Sequence, residues 1–220
     1  MRYFILIIAF LFSSVSFHAQ AGEPLSHVIT CPTQEPAAPG FADFLTKLKQ
    51  AVAKKDVDYI KSIVADTIRS NYAGDDSKDA FLSYWKLNHF SELSEFWGEM
   101  YDLLALGYDP SNTKGDTIVY PCTFGELPKH DWIAVKYPDD VPYGYQVVVH
   151  EGVDLMSSDH KLLRRLAFLE TVRFNDEKVT TFDGLTGDAE KFSLRSPTDY
   201  RAFFTREKGV WKLTTFIAGD

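Results

Sequence analysis

Long hydrophobic runs are lacking: the apolar stretch Tyr3 to Phe12 falls short of the roughly 20 residues that a stable transmembrane helix needs. Cysteine is scarce too, with only Cys31 and Cys122 in the whole chain. That scarcity excludes a cysteine-rich zinc site, and no H-E-x-x-H is present to bind zinc through histidine. G-x-S-x-G is absent as well, and neither cysteine has a local signature of catalytic use. Asp75-Asp76 lacks the alternating oxygen ligands and the twelfth-position glutamate of a calcium loop. Basic charge is in deficit, 23 Lys+Arg against 31 Asp+Glu, for a net charge of −8. An acidic surface repels phosphate backbones and anionic lipid heads, which argues against nucleic-acid binding. The sequence therefore assigns no catalytic residue, no metal and no cofactor.

What is there begins with an export signal. Arg2 supplies the positive end, Tyr3 to Phe12 the apolar centre, and Ala19-Gln20-Ala21 a small-x-small cleavage site. Residues 1–21 are thus expected to be removed, leaving a mature chain that starts at Gly22; the alternative is an uncleaved N-terminal anchor. No cysteine follows the cleavage site, which argues against a lipid anchor. The expected location is periplasmic or secreted, without stable membrane insertion. In such an oxidising compartment an even cysteine count favours a Cys31–Cys122 disulfide, with two free buried thiols as the alternative. Closing a loop of about 90 residues would stabilise by roughly 4–5 kcal/mol if chain entropy dominates.

A proline-rich arm over 22–40 leads into a helical half over 41–107. Phe41, Phe44, Leu45, Leu48 and Val52 form an amphipathic stripe. Asp56 is placed to cap a second helix with Val57, Ile60, Ile63 and Val64 inside. Asp75 or Asp76 would cap a third, burying Ala80, Phe81, Tyr84 and Trp85. Ser91 would cap a fourth carrying Leu93, Phe96, Trp97, Met100, Leu103 and Leu104, ended by Gly107. Trp85, Phe96, Trp97 and Tyr101 read as helix core. His89, Glu92 and Glu95 lie close in sequence, but a solvated helix face explains them.

From 117 to 220 the pattern changes to strands. Thr117 to Tyr120 and Trp132 to Tyr137 read as strands. Tyr145 to His150 alternates with a period of two, Val153 and Leu155 resume it, and Ser157 to His160 is a turn. Lys161 to Thr171 also admits a helix through Leu162, Leu166 and Leu169. Tyr200 to Thr205, the turn Glu207-Lys208-Gly209, and Val210 to Ile217 form a hairpin. The fold class expected is α+β. About four N-terminal helices precede a small β unit and a C-terminal hairpin. Alternatively, helices and hairpin form one layered unit with the remaining strands inserted, an arrangement like the nuclear-transport-factor-like cone.

The stretch GVDLMSSDHKLLRRLAFLETVRF resembles the core of bacterial SH3-like domains. Val153 and Leu155 match the first strand, Ser157 the turn serine, and Leu163, Leu166 and Val172 the later apolar positions; Met156 stands where the family carries arginine. Gly209, Trp211, Lys212, Phe216, Ala218, Gly219 and Asp220 match the tail of exported bacterial SH3-domain-containing proteins of unassigned function. The resemblance implies a small SH3-like β-barrel in an exported protein, and no particular reaction. In such barrels aromatic residues line a groove for peptides, and here Trp132, Tyr137, Tyr143 and Tyr145 are the candidates; core packing is their other explanation.

These observations point to a non-catalytic envelope protein that binds a peptide, peptidoglycan or a protein partner. Two alternatives stand beside it. One is a periplasmic inhibitor or immunity protein acting on a cell-wall enzyme through an acidic loop such as Asp139-Asp140 or Asp183 to Glu190. The other is a hydrolase built on a carboxylate or histidine pair that only the fold brings together.

Overall fold

The computed structural model describes residues 27–70, 76–124, 145–175, 177–196 and 199–218. The export signal, Asp75, His130, the strand expected from Trp132 to Tyr137, Asp139-Asp140, Tyr143, Gly219 and Asp220 lie outside the described residues.

The first helix, α1 (Phe41–Lys54), buries Phe41, Phe44, Leu45, Leu48, Ala51 and Val52, the stripe expected from its spacing. It stops at Lys55, whose left-handed backbone returns its N–H to the carbonyls of Ala51 and Val52. Asp56 then caps α2 (Val57–Ile63) by accepting from the Tyr59 amide at 3.0 Å. At Val64 the chain passes directly into β2 (Val64–Arg69), where Val64, Ala65 and Ile68 are buried and Asp66 and Thr67 exposed. The helix expected to include Val64 ends one residue earlier. Helix α3 (Lys78–Tyr84) is capped by Ser77, which accepts from Ala80, and not by Asp76. With only seven residues, α3 buries Phe81 and Leu82 and leaves Tyr84 exposed. Ser91–Leu93 is a separate 3₁₀ turn with Leu93 exposed. Helix α4 (Phe96–Ala105) starts beyond it, where Ser94 Oγ accepts from the Phe96 amide at 3.2 Å. Gly107 follows α4 with φ 80°, the conformation a chain reversal there requires.

These helices cover a four-stranded sheet ordered β2, β12 (Val210–Ile217), β11 (Arg201–Glu207) and β3 (Thr117–Tyr120). The C-terminal hairpin β11–β12 pairs antiparallel from Arg201↔Ile217 to Glu207↔Val210, while β2 runs parallel to β12. Inward-facing Ile118, Tyr120, Ala202, Phe204, Trp211, Leu213 and Phe216 meet the helix stripes in one core. The Phe41 ring lies edge-on to Trp211 at 4.8 Å, so the first helix and the last strand share a contact.

Between β3 and β11 lies a second layer. Its main sheet runs β10 (Leu194–Arg195), β4 (Tyr145–Val148), β7 (Glu170–Asn175), β8 (Lys178–Thr180) and β9 (Thr186–Gly187), with β1 (His27–Val28) also on β7. A hairpin, β5 (Asp154–Met156) with β6 (Leu162–Arg165), folds over one face. Leu162 to Arg165 is thus strand, not the helix that Leu162, Leu166 and Leu169 also allowed. Val148, Val172 and Val179 meet Val153, Leu155 and Leu166 beneath this hairpin. Met156 and Asp188 exchange backbone hydrogen bonds at 2.7 and 2.8 Å to join hairpin and sheet. A Cβ on Gly187 would lie 2.2 Å from the Met156 carbonyl oxygen, so this approach requires glycine. The opposite face carries Val147, which packs with Ile29, Leu106, Cys122 and Leu169.

The architecture is α+β: among the described residues four α-helices in the N-terminal half precede a β-rich half. Among the described residues no sheet closes on itself, so the β-rich half is seen there as open sheets and the barrel that the resemblance implies is not seen among them. The two-residue strands β9 and β10 end the sheet on opposite sides and do not pair with each other. Cys31 and Cys122 are disulfide-bonded, with Cα atoms 5.7 Å apart, tying the N-terminal arm to the turn after β3. Bonds of this kind form and persist in oxidising compartments. Among the described residues no helix is long and apolar enough to cross a membrane.

Candidate functional site

The buried stripe of α4, Phe96, Trp97, Met100, Leu103 and Leu104, leaves the next face of the helix toward solvent. Tyr101 and Asp102 stand on that face, with Tyr101 63% exposed. Across from them the chain leaving β4 presents Val149, His150 and Glu151, and the turn before β7 presents Phe168, 38% exposed. Leu169 holds that turn: its backbone is left-handed at φ 62°, its amide donates to the Val148 carbonyl, and its carbonyl accepts from Ile29. Together these groups enclose an open cleft of about 410 Å³ between α4 and the second layer. A smaller hollow of about 280 Å³, lined by Lys49, Val52 and Leu104, opens on the other side of Tyr101.

Arg195 sets the width of the cleft. It is 7% exposed, sits on β10, and reaches across to α4. Nη2 donates to Glu99 Oε2 at 2.9 Å, and Nη1 lies 3.9 Å from Asp102. The helix is thereby pinned to the sheet by a charge-assisted contact from a largely desolvated guanidinium. Lys49 in the neighbouring hollow is tied to Glu35 at 3.1 Å.

His150 is the titratable base at the cleft. Its Nδ1 lies 3.4 Å from Ser193 Oγ, and its ring centre is 6.1 Å from that of the exposed Phe192. Ser193 is 1% exposed, so its hydroxyl cannot meet a substrate carbonyl without a rearrangement of the turn that carries it. Among the described residues no group of three or more His, Cys, Asp or Glu side chains could hold a metal ion.

A further hollow of about 460 Å³ is lined by Asp154, His160, Asp188 and Glu190. Arg165 binds Asp154 at 2.9 Å and Lys178 binds Asp188 at 2.6 Å, so most of its negative charge is already answered. It includes the end of the acidic loop from Asp183 to Glu190.

Of the aromatic residues expected to bind a ligand, Trp132, Tyr137 and Tyr143 lie outside the described residues. Tyr145 is 2% exposed in β4, its ring stacked on Phe182 at 6.2 Å. The structure instead brings Tyr101, His150 and Phe168 to one cleft. Of these, only Tyr101 could have been found from sequence. It follows Met100 directly and falls off the helix stripe, and it is exposed where the aromatic pattern of Trp85, Phe96 and Trp97 places it in the helix core. Phe168 and His150 reach the cleft only through tertiary packing. Comparison of this chain with protein-family models, curated proteins and solved structures finds no match.

Proposed function

We propose that this chain is a non-catalytic exported protein that holds a segment of a partner protein in the cleft between α4 and the second layer. The exposed Tyr101 ring facing Phe168 across an open groove carries this reading. Tyrosine and phenylalanine give a large contact area for few frozen rotors, which suits an interface anchor. The groove is pre-shaped because Arg195 locks its two walls together, so little ordering opposes binding. The reading is further supported by His150, whose hydrogen-bond partner is a buried serine, not an accessible nucleophile. The disulfide supports a periplasmic or secreted setting. In this reading the second layer, part of whose sequence resembles the core of SH3-like domains, acts as one wall of the groove.

Photo-crosslinking tests it. A photoreactive residue at position 101 should give one defined adduct in the exporting cell, competed by excess unmodified protein and lost on Phe168→Ala. The same residue at the exposed Asp66 should not. Equal adducts from positions 101 and 66, or an adduct at 101 indifferent to Phe168→Ala, would overturn the proposal.

A further inference from the structure

We infer that the group taken into this cleft is a cation, the lysine or arginine side chain of a basic partner protein. The inference rests on the cleft being the binding site. Its walls combine two kinds of group that share one complement. Tyr101 and Phe168 are exposed aromatic side chains lining the cleft, and an aromatic ring's negative quadrupole attracts an ammonium or guanidinium. Asp102 and Glu151 add carboxylates to the same lining.

The balance of charge sharpens this. Glu99 and Asp102 both face Arg195, so three carboxylates stand against one guanidinium. That guanidinium is almost wholly buried and turned to α4, and it offers little open positive potential to a ligand. Lys49, in the adjoining hollow, is already paired with Glu35. An anionic ligand would meet uncompensated repulsion. A neutral apolar one would strip water from Asp102 and Glu151 without replacing their hydrogen bonds. A long cationic side chain avoids both costs, with its stem against the aromatic rings and its head at the carboxylates. About 410 Å³ suits one such side chain with its flanking backbone. The net charge of −8 for the whole chain adds long-range attraction toward a basic protein.

The test is an NMR titration of the disulfide-intact protein with three blocked peptides of the form Gly-X-Gly-X-Gly. X is arginine, its neutral isostere citrulline, or glutamate. The arginine peptide should shift the amide signals of Tyr101, Glu151 and Phe168 at millimolar concentration. It should bind about tenfold more tightly than the citrulline peptide, the equivalent of about 1.4 kcal/mol. Glu151→Gln should weaken the arginine peptide severalfold and leave the citrulline peptide unchanged. Added salt should weaken only the former. Equal binding of the arginine and citrulline peptides at the cleft overturns the cation inference and leaves the cleft as a binding site. No shift at the cleft with any peptide also overturns it; the crosslink at position 101 then decides separately whether the cleft holds a partner. Preference for the glutamate peptide overturns it outright.

Discussion

Glu170 shows how much one side chain can carry in this fold. Its carboxylate is fully buried in β7, where it accepts hydrogen bonds from Nη1 and Nη2 of Arg164 and from the Ala167 amide at 2.9 Å. Removing the cation strands a buried charge, so Arg164→Ala should destabilise by about 3–5 kcal/mol, read from denaturant midpoints. Glu170→Gln in the Arg164→Ala background should recover part of that loss, because the stranded charge disappears with it. Tyr120 and Tyr200 set a different limit. Burial, reinforced by Glu35, raises the Tyr120 phenol above its ordinary value of 10.0. Burial, then the hydrogen bond with Tyr84, raises Tyr200 in the same direction. Both keep their protons in the fold and lose them more readily when unfolded. Stability should therefore be full below about pH 10 and fall as pH rises beyond it. Tyr120→Phe should flatten that alkaline slope in melts taken between about pH 9 and 11. At this scale Asp56, Gly107 and the cysteine pair are legible in sequence, because each acts through local chemistry or simple counting. Tyr101 is legible only in part: it directly follows Met100 and falls just off the buried stripe, and the aromatic character of both faces of α4 blurs that boundary.

Elements are legible to the extent that they are long. The stripe of α1 and the alternation of β11 and β12 repeat over enough residues to fix their type, although β11 starts one residue later and runs two residues further than the expected Tyr200 to Thr205. The passage from α2 to β2 is hidden, because Ile63-Val64 serves equally as the end of a helix face or the start of a strand; the parallel pairing with β12, distant in sequence, decides it. Strands β9 and β10, two residues each, carry no period at all and exist through their neighbours. Gly187 in β9 illustrates the point: an unremarkable glycine in sequence, it is where a strand passes against the Met156 carbonyl. Gly187→Ala should force that contact apart and cost about 1–3 kcal/mol. Hydrogen exchange should accelerate at Met156 and Asp188, whose mutual bonds depend on the approach, and change little in β11 and β12.

For the whole molecule, the disulfide and the shared core determine cohesion. Cys31 and Cys122 are 91 residues apart, and the helices, β2 and β3 lie within the loop they close. Replacing both with serine should lower stability by about 4–5 kcal/mol if chain entropy dominates. It should loosen β1 first, since β1 pairs with β7 through only two residues and is otherwise held by Ile29, whose amide donates to the Leu169 carbonyl. Global architecture is the least legible scale. Local pattern distinguishes helices from strands but not which sheet each strand joins. Only the layered alternative anticipated that β11 and β12 would pack with the helices.

Tyr120 and Ala202 are direct partners across β3 and β11. The polypeptide thus departs from one place on the helix-backed sheet and comes back beside it. Apart from β1, the second layer is topologically the overgrown loop of an ordinary antiparallel hairpin. Such an excursion can be lengthened, exchanged or trimmed while the ends that anchor it keep their register, so the groove gains a wall open to variation and the scaffold stays constant.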